Sequence, residues 1–359
     1  MVTIEQAEKL ILKNAPDIRT EYCALPQTLG RTLAEDIIAR EPSPLFTNSA
    51  MDGFAVRWTD IATAFQRIPI ELPVAGESQA GIPYGGEVQA GQAIRISTGA
   101  MMPAGCDTVV PIEEIEFVND HIKILNIRKK FQHVRHAGEE YKTGGLLLKK
   151  DKIIKPADIA LLAMQGIAEV PVYARPCVAL VSTGSELKPF DSGQLAPGEI
   201  RNSNSPMLQA AVEEAGGRIT AVLHVNDERR ATAEAIDKAV GLADIIISSG
   251  GVSVGPHDHV KEIAEEAGFE EVFWKVRQKP GKPMYVAKKG GALLIGLPGN
   301  PVSAFMCFTH YLKPLIEKTA GQAIKRKTLS ATSGDDIKNE MDRTHLMRVR
   351  LKSDNGKTI

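Results

Sequence analysis

Long apolar runs are missing from this chain. None approaches the roughly 20 residues that would cross a bilayer, so no membrane span is expected. Cysteine is scarce as well. Cys23, Cys106, Cys177 and Cys307 lie far apart, with no CxxC and no neighbouring histidine pair. That spacing speaks against a structural zinc site and reads instead as buried thiols in a reducing compartment. Neither sign of charge dominates: 43 Lys and Arg stand against 44 Asp and Glu, a formal net charge of −1. A general nucleic-acid or acidic-membrane surface is therefore not expected, although a local basic cleft is allowed. No Ser/His/Asp or Cys/His set points to a nucleophilic hydrolase. The first residues, MVTIEQAEKLILKNAP, lack the basic start and compact apolar stretch of a signal peptide. They read as an amphipathic helix with Ile4, Ala7, Leu10 and Ile11 on one face, and a cytoplasmic protein is the expectation.

What is present is the composition of a globular protein, 43% hydrophobic and 24% charged over 359 residues. That length implies roughly two to four domains. Residues 41–138 are rich in Pro and Gly, with short strands such as GQAIRIS and DTVVPIEE between turns, which predicts a small β-rich domain. A helix is expected over 156–166, with Pro at its start and Gly at its end. From Cys177 the pattern alternates: strand VALVST, a helix capped by Ser205 with Pro206 first and stopping at Gly216–Gly217, strand RITAVLHV, helix ERRATAEAIDKAV, the near-continuous apolar strand ADIIISS, helix HVKEIAEEAG, then strand ALLIGLPG before a helix from Asn300 and Pro301 through Leu312. Such alternation predicts a parallel-rich sheet covered by helices on both sides. After Ala320 the texture turns polar, and RTHLMRVRLKSDNGKT reads as one strand and a turn. A lone hairpin half is not a stable domain, so the chain is expected to end at Ile359 inside a C-terminal β domain.

Three glycine-rich turns follow apolar strands in the second half: STGSEL, SSGGVSVG and GLPGNPVS. Glycine turns at strand ends let backbone N–H groups meet an anion closely, so a phosphorylated ligand is expected. Asp258, just after the second turn, reads either as a magnesium ligand bridging phosphates or as a plain complement to a helix dipole. Lys279 and Lys282 flank a Pro-Gly turn, either around a bound anion or as a solvated turn. Asn300 as cap, Pro301 at the first helical position and Ser303 nearby form a rigid helix start with free N–H groups, or a purely structural turn. Glu186 and Asp227 fall at strand ends on the same sheet edge and read as functional acids or as caps. Asp52 and Thr98 lie in ordinary turn signals of the β-rich part.

Taken in order, NSAMDGFAV, STGAMMPAGCDTVV, HAGEE with its following glycine pair, STGSEL, SSGGVSVG, KPGKP and GLPGNPVSA resemble the molybdopterin molybdenumtransferase family, which includes the gephyrin E domain. The resemblance implies a multidomain α/β protein. It would have a connecting domain (1–44 and 140–176), an inserted β-rich lid (45–139), a three-layer α/β molybdopterin-binding domain (177–320) and the start of a C-terminal β domain (321–359). The implied reaction inserts molybdate into adenylylated molybdopterin, with Mg2+-dependent release of AMP. A tungstate-preferring homologue and a non-catalytic molybdopterin-binding scaffold or regulator are the alternatives.

The same resemblance assigns roles. Asp52 and Thr98 would come from the lid. Glu186, Asp227 and Asp258 would hold Mg2+, and Lys279 and Lys282 would face the oxyanion. Thr183, Gly184, Ser185, Ser249, Gly250, Gly251, Pro298, Gly299, Asn300, Pro301 and Ser303 would bind the pterin and nucleotide, and Arg343 and Arg348 molybdate. It further implies a homodimer sharing its site between subunits, with molybdopterin adenylyltransferase as upstream partner. One departure is Glu140, which stands where many relatives carry Asp.

Overall fold

The computed structural model describes residues 1–64, 68–127, 129–251, 259–324, 326, 328–337, 342–354 and 357–358. Its contacts divide the chain into two units, Met1–Glu35 with Lys149–Ile359, and Asp36–Leu148.

The first unit opens with helix α1 (Ile4–Lys13). The Thr3 hydroxyl accepts the Gln6 N–H at 3.2 Å while Gln6 Oε1 accepts the Thr3 N–H at 2.9 Å. This reciprocal cap stabilises the helix start by about 1 kcal/mol. The predicted apolar face is the buried one: Ile4, Ala7 and Ile11 are buried and Leu10 packs against the same core.

Strand and helix then alternate as β1 (Cys177–Thr183), α2 (Asn204–Glu214), β2 (Arg218–Val225), α3 (Arg229–Val240), β3 (Ile245–Ser249), α4 (Val260–Glu266), β4 (Glu270–Trp274), β5 (Tyr285–Lys289), β6 (Ala292–Leu297) and α5 (Pro301–Cys307). The six strands form one sheet in the order β2–β1–β3–β6–β5–β4. β2, β1, β3 and β6 run parallel, and β5 and β4 complete the sheet antiparallel.

Alternation along the central strands divides the core between two faces. Val178, Leu180, Ile245, Ile247, Leu293 and Ile295 pack with α1, with Leu208 and Val212 of α2, and with the helix after β6. Ala179, Val181, Ile246 and Leu294 point the other way, onto Ala235, Ile236 and Ala239 of α3 and Val260, Ile263 and Ala264 of α4. Burial on both faces is why ADIIISS is apolar at consecutive positions. Truncating Ile246 to Ala would cost about 2–5 kcal/mol.

Three local expectations change. Helix α2 begins earlier than Ser205: Ser203 is its N-cap, and the Ser205 N–H, inside the first turn, is accepted by Asn202 Oδ1 at 3.1 Å. The Asn202 amide is fixed in turn by donating to Ser182 Oγ at 3.0 Å and Ser205 Oγ at 2.9 Å, so asparagine takes the capping role. The last helix continues beyond Leu312 to Thr319 through a wide turn over Phe308–Leu312. Pro314 has no N–H and would clash in a regular turn, and the widened turn accommodates it. The C-terminal segment forms two short pairings rather than one strand. Thr344–His345 runs parallel to Gln278–Lys279, and Ser353–Asp354 antiparallel to Lys357–Thr358. None of residues 342–352 is buried, so no apolar face organises a longer strand.

The second unit, Asp36–Leu148, is β-rich. Its six-stranded sheet runs in the order Thr108–Pro111, Gly53–Val56, Ala93–Ile96, Ile70–Ser78, His121–Ile124, Ile115–Val118, around Phe54, Val56, Ile61, Leu72, Val110, Ile122 and Ile124. Among the described residues no helix is long and apolar enough to cross a membrane. All four cysteines are free thiols.

Candidate active site at the carboxyl edge of the sheet

β1, β3 and β6 are adjacent and parallel, and Ser182 pairs with Ser249 as Ser249 pairs with Leu297. The three glycine turns that follow them therefore lie side by side, at the edge where open α/β sheets bind ligands. They border a cleft of about 780 Å³. Thr183, Gly184 and Glu186 line it from the first turn and Ser249, Gly250 and Gly251 from the second. The third turn contributes Pro298, Gly299, Asn300, Pro301 and Ser303, and Asp227 joins from the loop after β2.

Glycine is required where the second turn passes the first. Gly250 has φ +96°, and a Cβ there would lie 2.9 Å from the Thr183 carbonyl oxygen. Gly251 has φ +70°, and its Cβ would lie 2.7 Å from Val260. Side chains are excluded there by both space and backbone conformation.

Four of the lining residues are polar and buried, Thr183, Asn202, Asn204 and Ser249, and behind them Ser182, Ser205 and Ser248 are buried as well. Asn204 Nδ2 donates to Ser249 Oγ and to the Gly299 carbonyl, both at 2.8 Å, so one amide ties α2 to the second and third turns. Two buried atoms of lining residues, Thr183 Oγ1 and Asn204 Oδ1, have no hydrogen-bond partner among the described residues. Such atoms cost about 1–3 kcal/mol each when left unsatisfied, and both belong to residues that line the cleft. Sequence reading missed Asn202 and Asn204. Their signal is the RNSNSP segment, two amides immediately before a proline at a helix start.

The third turn departs from expectation. Asn300 Oδ1 accepts the N–H groups of Val302 at 3.0 Å and Ser303 at 3.2 Å, and the Asn300 carbonyl accepts that of Ala304. Pro301 has none, so this helix start has no free N–H to give an anion, and the Ser303 side chain and loop backbone remain.

Glu186 is exposed, and its carboxylate makes no hydrogen bond or ion pair among the described residues. Asp227 and Ser185 hold each other: Asp227 Oδ2 accepts the Ser185 N–H at 3.1 Å and Ser185 Oγ accepts the Asp227 N–H at 3.2 Å. Two carboxylates on one cleft wall suit a magnesium ion, which takes one or two protein carboxylates and completes its octahedron with phosphate and water. Asp258 lies outside the described residues. Among those described, no group of three or more His, Cys, Asp or Glu gathers as a metal cage.

A second cleft of about 690 Å³ shares Asn300 and Ser303 and adds Lys279, Met306, His345 and Arg348. Lys282 is exposed and lines neither cleft, and Arg343 lines a different one with Thr3, Glu5 and Arg277. Neither Lys279 nor Lys282 has a carboxylate partner among the described residues.

In the β-rich unit Asp52 and Thr98 are brought together. Asp52 Oδ1 accepts the Thr98 N–H at 2.7 Å and its hydroxyl at 3.0 Å. The backbone donor, followed by the hydroxyl, holds the Asp52 carboxyl below the usual range. Glu140 accepts the Ser43 hydroxyl at 2.6 Å, and Glu139 the His136 N–H at 2.8 Å.

A parallel-rich sheet with a polar cleft at its carboxyl edge, beside a separate β-rich unit, defines a multidomain α/β ligand-binding protein. Comparison with known proteins narrows this. Residues 2–166 match the profile described as "MoeA N-terminal region (domain I and II)", and residues 179–318 that described as "Probable molybdopterin binding domain". The molybdopterin molybdenumtransferase of Haemophilus influenzae is 37% identical over 97% of this chain and 85% of its own length. That of Bacillus subtilis is 37% identical over 88% and 74%. The crystal structure of the molybdopterin biosynthesis MoeA protein from Pyrococcus horikoshii OT3 superposes with a TM-score of 0.79 at 30% identity, covering 100% of this chain and 89% of that one. The chain belongs to the molybdopterin molybdenumtransferase family, a family of enzymes of molybdenum cofactor biosynthesis.

Proposed function

We propose that the protein inserts molybdate into the dithiolene of adenylylated molybdopterin and releases AMP. The observation that carries this reading is the cleft at the carboxyl edge. Three glycine turns, two carboxylates and two unsatisfied buried polar atoms converge on one space sized for a nucleotide-bearing ligand. Glu186 and Asp227, with Asp258, would hold Mg2+, which when bound supplies positive charge to the phosphoanhydride oxygens. Thr183 Oγ1 and Asn204 Oδ1 would take hydrogen bonds with the nucleotide or pterin. The second turn, open at Gly250 and Gly251, would let phosphate oxygens approach the backbone. Two Mo–S bonds would form as the two dithiolene thiols displace one molybdate oxygen, which leaves with their protons as water, and one water would add across the phosphoanhydride, giving AMP and the phosphate of the molybdenum-bearing pterin.

Lys279, Ser303 and Arg348, gathered in the adjoining cleft, would hold molybdate beside the dithiolene, and the two reactants gain from being placed together. Lys282 and Arg343 are assigned to the approach of the dianion rather than to its seat.

The protein is further proposed to act as a cytoplasmic homodimer, supplied by a molybdopterin adenylyltransferase, with Asp52 and Thr98 contributed by the partner copy. Mixing an Asp52→Asn subunit with a Glu186→Gln subunit should then restore activity that neither variant has alone.

The direct test incubates the protein with adenylylated molybdopterin, Mg2+ and molybdate and follows AMP by chromatography. AMP release dependent on Mg2+ is expected, and its absence would sink the assignment. A tungstate arm, read from the metal content of the product, tells which oxyanion is preferred.

A further inference from the structure

The opposite end of the same sheet carries a second concave site that the proposed reaction does not use. β1 starts at Cys177 and β2 at Arg218, and beside them opens a cleft of about 570 Å³. Arg19, Arg31, Arg175 and Arg218 all line it, with Glu21 as its sole lining carboxylate. The four guanidiniums are not equally occupied. Arg19 is held by Asp244 at 2.6 Å, and Asp244 also accepts the Cys177 N–H at 2.8 Å. Arg31, its side chain only 9% exposed, pairs with Glu21 and donates to the Tyr173 carbonyl at 2.8 Å. Arg218 donates to the Cys177 sulfur at 3.1 Å and feels the charges of Glu21 and Asp244, without pairing with either among the described residues. Arg175 is exposed and has no hydrogen bond or ion pair among the described residues.

Like charges gathered in a concave wall repel one another, and the protein has placed too few carboxylates there to offset them. Two guanidiniums thus remain without a carboxylate partner at one cleft. Guanidinium forks match the oxygens of a phosphate group, and all four cations here are arginine rather than lysine. The volume exceeds that of a bare ion and leaves room for an organic body.

We propose that this amino-edge cleft binds a small organic phosphate in its dianionic form, with Arg175 and Arg218 as its principal donors. The site lies at the other end of the strands from the candidate active site, so its occupancy and AMP release are separate readouts.

The Cys177 thiol, half-buried in the cleft wall, reports on occupancy. The protein would be alkylated with iodoacetamide, a neutral reagent, and labelling at each cysteine read by peptide mass spectrometry. Ribose 5-phosphate is the probe, and succinate at equal ionic strength is the control for charge alone. Cys307, buried and with its thiol pushed up to about 12 by that burial, serves as the unreactive internal standard.

Ribose 5-phosphate is expected to slow Cys177 labelling severalfold while succinate does not. In Arg175→Ala the phosphate concentration needed for half protection should rise about tenfold. Because Arg175 is exposed and unpartnered, that variant should fold, which its melting curve checks. No protection by the phosphate, equal protection by succinate, or protection unchanged in Arg175→Ala would each overturn the proposal, whatever the AMP assay gives.

Discussion

The two ends of one sheet present opposite solutions to holding an anion. At the carboxyl edge the wall is made mostly of neutral dipoles, namely glycine-turn backbone, hydroxyls and amides, with the carboxylates Glu186 and Asp227 and one lining cation, Arg201, whose guanidinium donates to the Ser192 and Gly193 carbonyls. Such a wall would suit a phosphate with a magnesium ion held between the acids and the ligand, as proposed above. At the amino edge, in the site proposed above, four arginines would supply the charge directly. The lesson is that the sign of the lining charge does not by itself identify an anion site. What matters is whether the remaining donors and a cation complete it.

The sharpest way to break this comparison is at the acids. Glu186→Gln and Asp227→Asn are each expected to lower the rate of AMP release about a hundredfold. Titration with Mg2+ should show a raised metal requirement, and unchanged rates would remove the carboxyl edge as a metal-dependent site.

The next effect is steric. Gly250→Ala places a Cβ against the Thr183 carbonyl at φ +96° and should cost about 2 kcal/mol of stability in denaturant unfolding. Gly268→Ala has a similar φ of +82° but open space around it. It should cost less, which separates crowding at the cleft from backbone strain alone.

Lys279→Gln should raise the KM for molybdate about tenfold and leave kcat nearly unchanged, as expected for loss of a charge-assisted contact to a substrate.

Thr183→Val tests the unsatisfied hydroxyl. Its melting temperature should equal or exceed the parent's, because an unpaired buried polar atom is removed, while substrate binding weakens. A clear loss of stability would mean that the hydroxyl serves the fold.

The smallest effect contrasts Asp52 with the unpartnered Glu186. The Asp52 pKa is depressed from its ordinary 3.8 by the Thr98 backbone and hydroxyl donors. Its stabilisation is therefore fully present above 3.8 and is lost as pH falls through the lower folded value. Asp52→Asn should flatten that part of the acid-unfolding curve.

Much of the architecture was legible in the chain, because burial imposes patterns. The consecutive isoleucines of β3 required burial on both faces, and the i, i+3, i+7 spacing of Ile4, Ala7 and Ile11 announced one helix face. The glycine turns could be located because a strand that stops at glycine leaves a recognisable break. Capping was less legible. Asn202 displaced Ser205 because its side chain is fixed by two hydroxyls, that of neighbouring Ser205 and that of Ser182, 20 residues away on β1. The Asn300 cap was legible from Asn-Pro, but that its side chain takes up both the Val302 and the Ser303 N–H groups, leaving neither free, was not.

The sequence by itself determined which segments become strands and helices and which turns carry glycine, since those choices follow from local periodicity and backbone freedom. Tertiary structure alone decided that β1, β3 and β6 are neighbours, so that three turns separated by dozens of residues form one wall. It also decided that the Asn204 amide joins two of them, and that Arg19, Arg31, Arg175 and Arg218 converge at the far end. The physical reason is that sheet order is set by how helices pack on both faces. Proximity between distant side chains is a property of that packing and leaves no local trace in the chain.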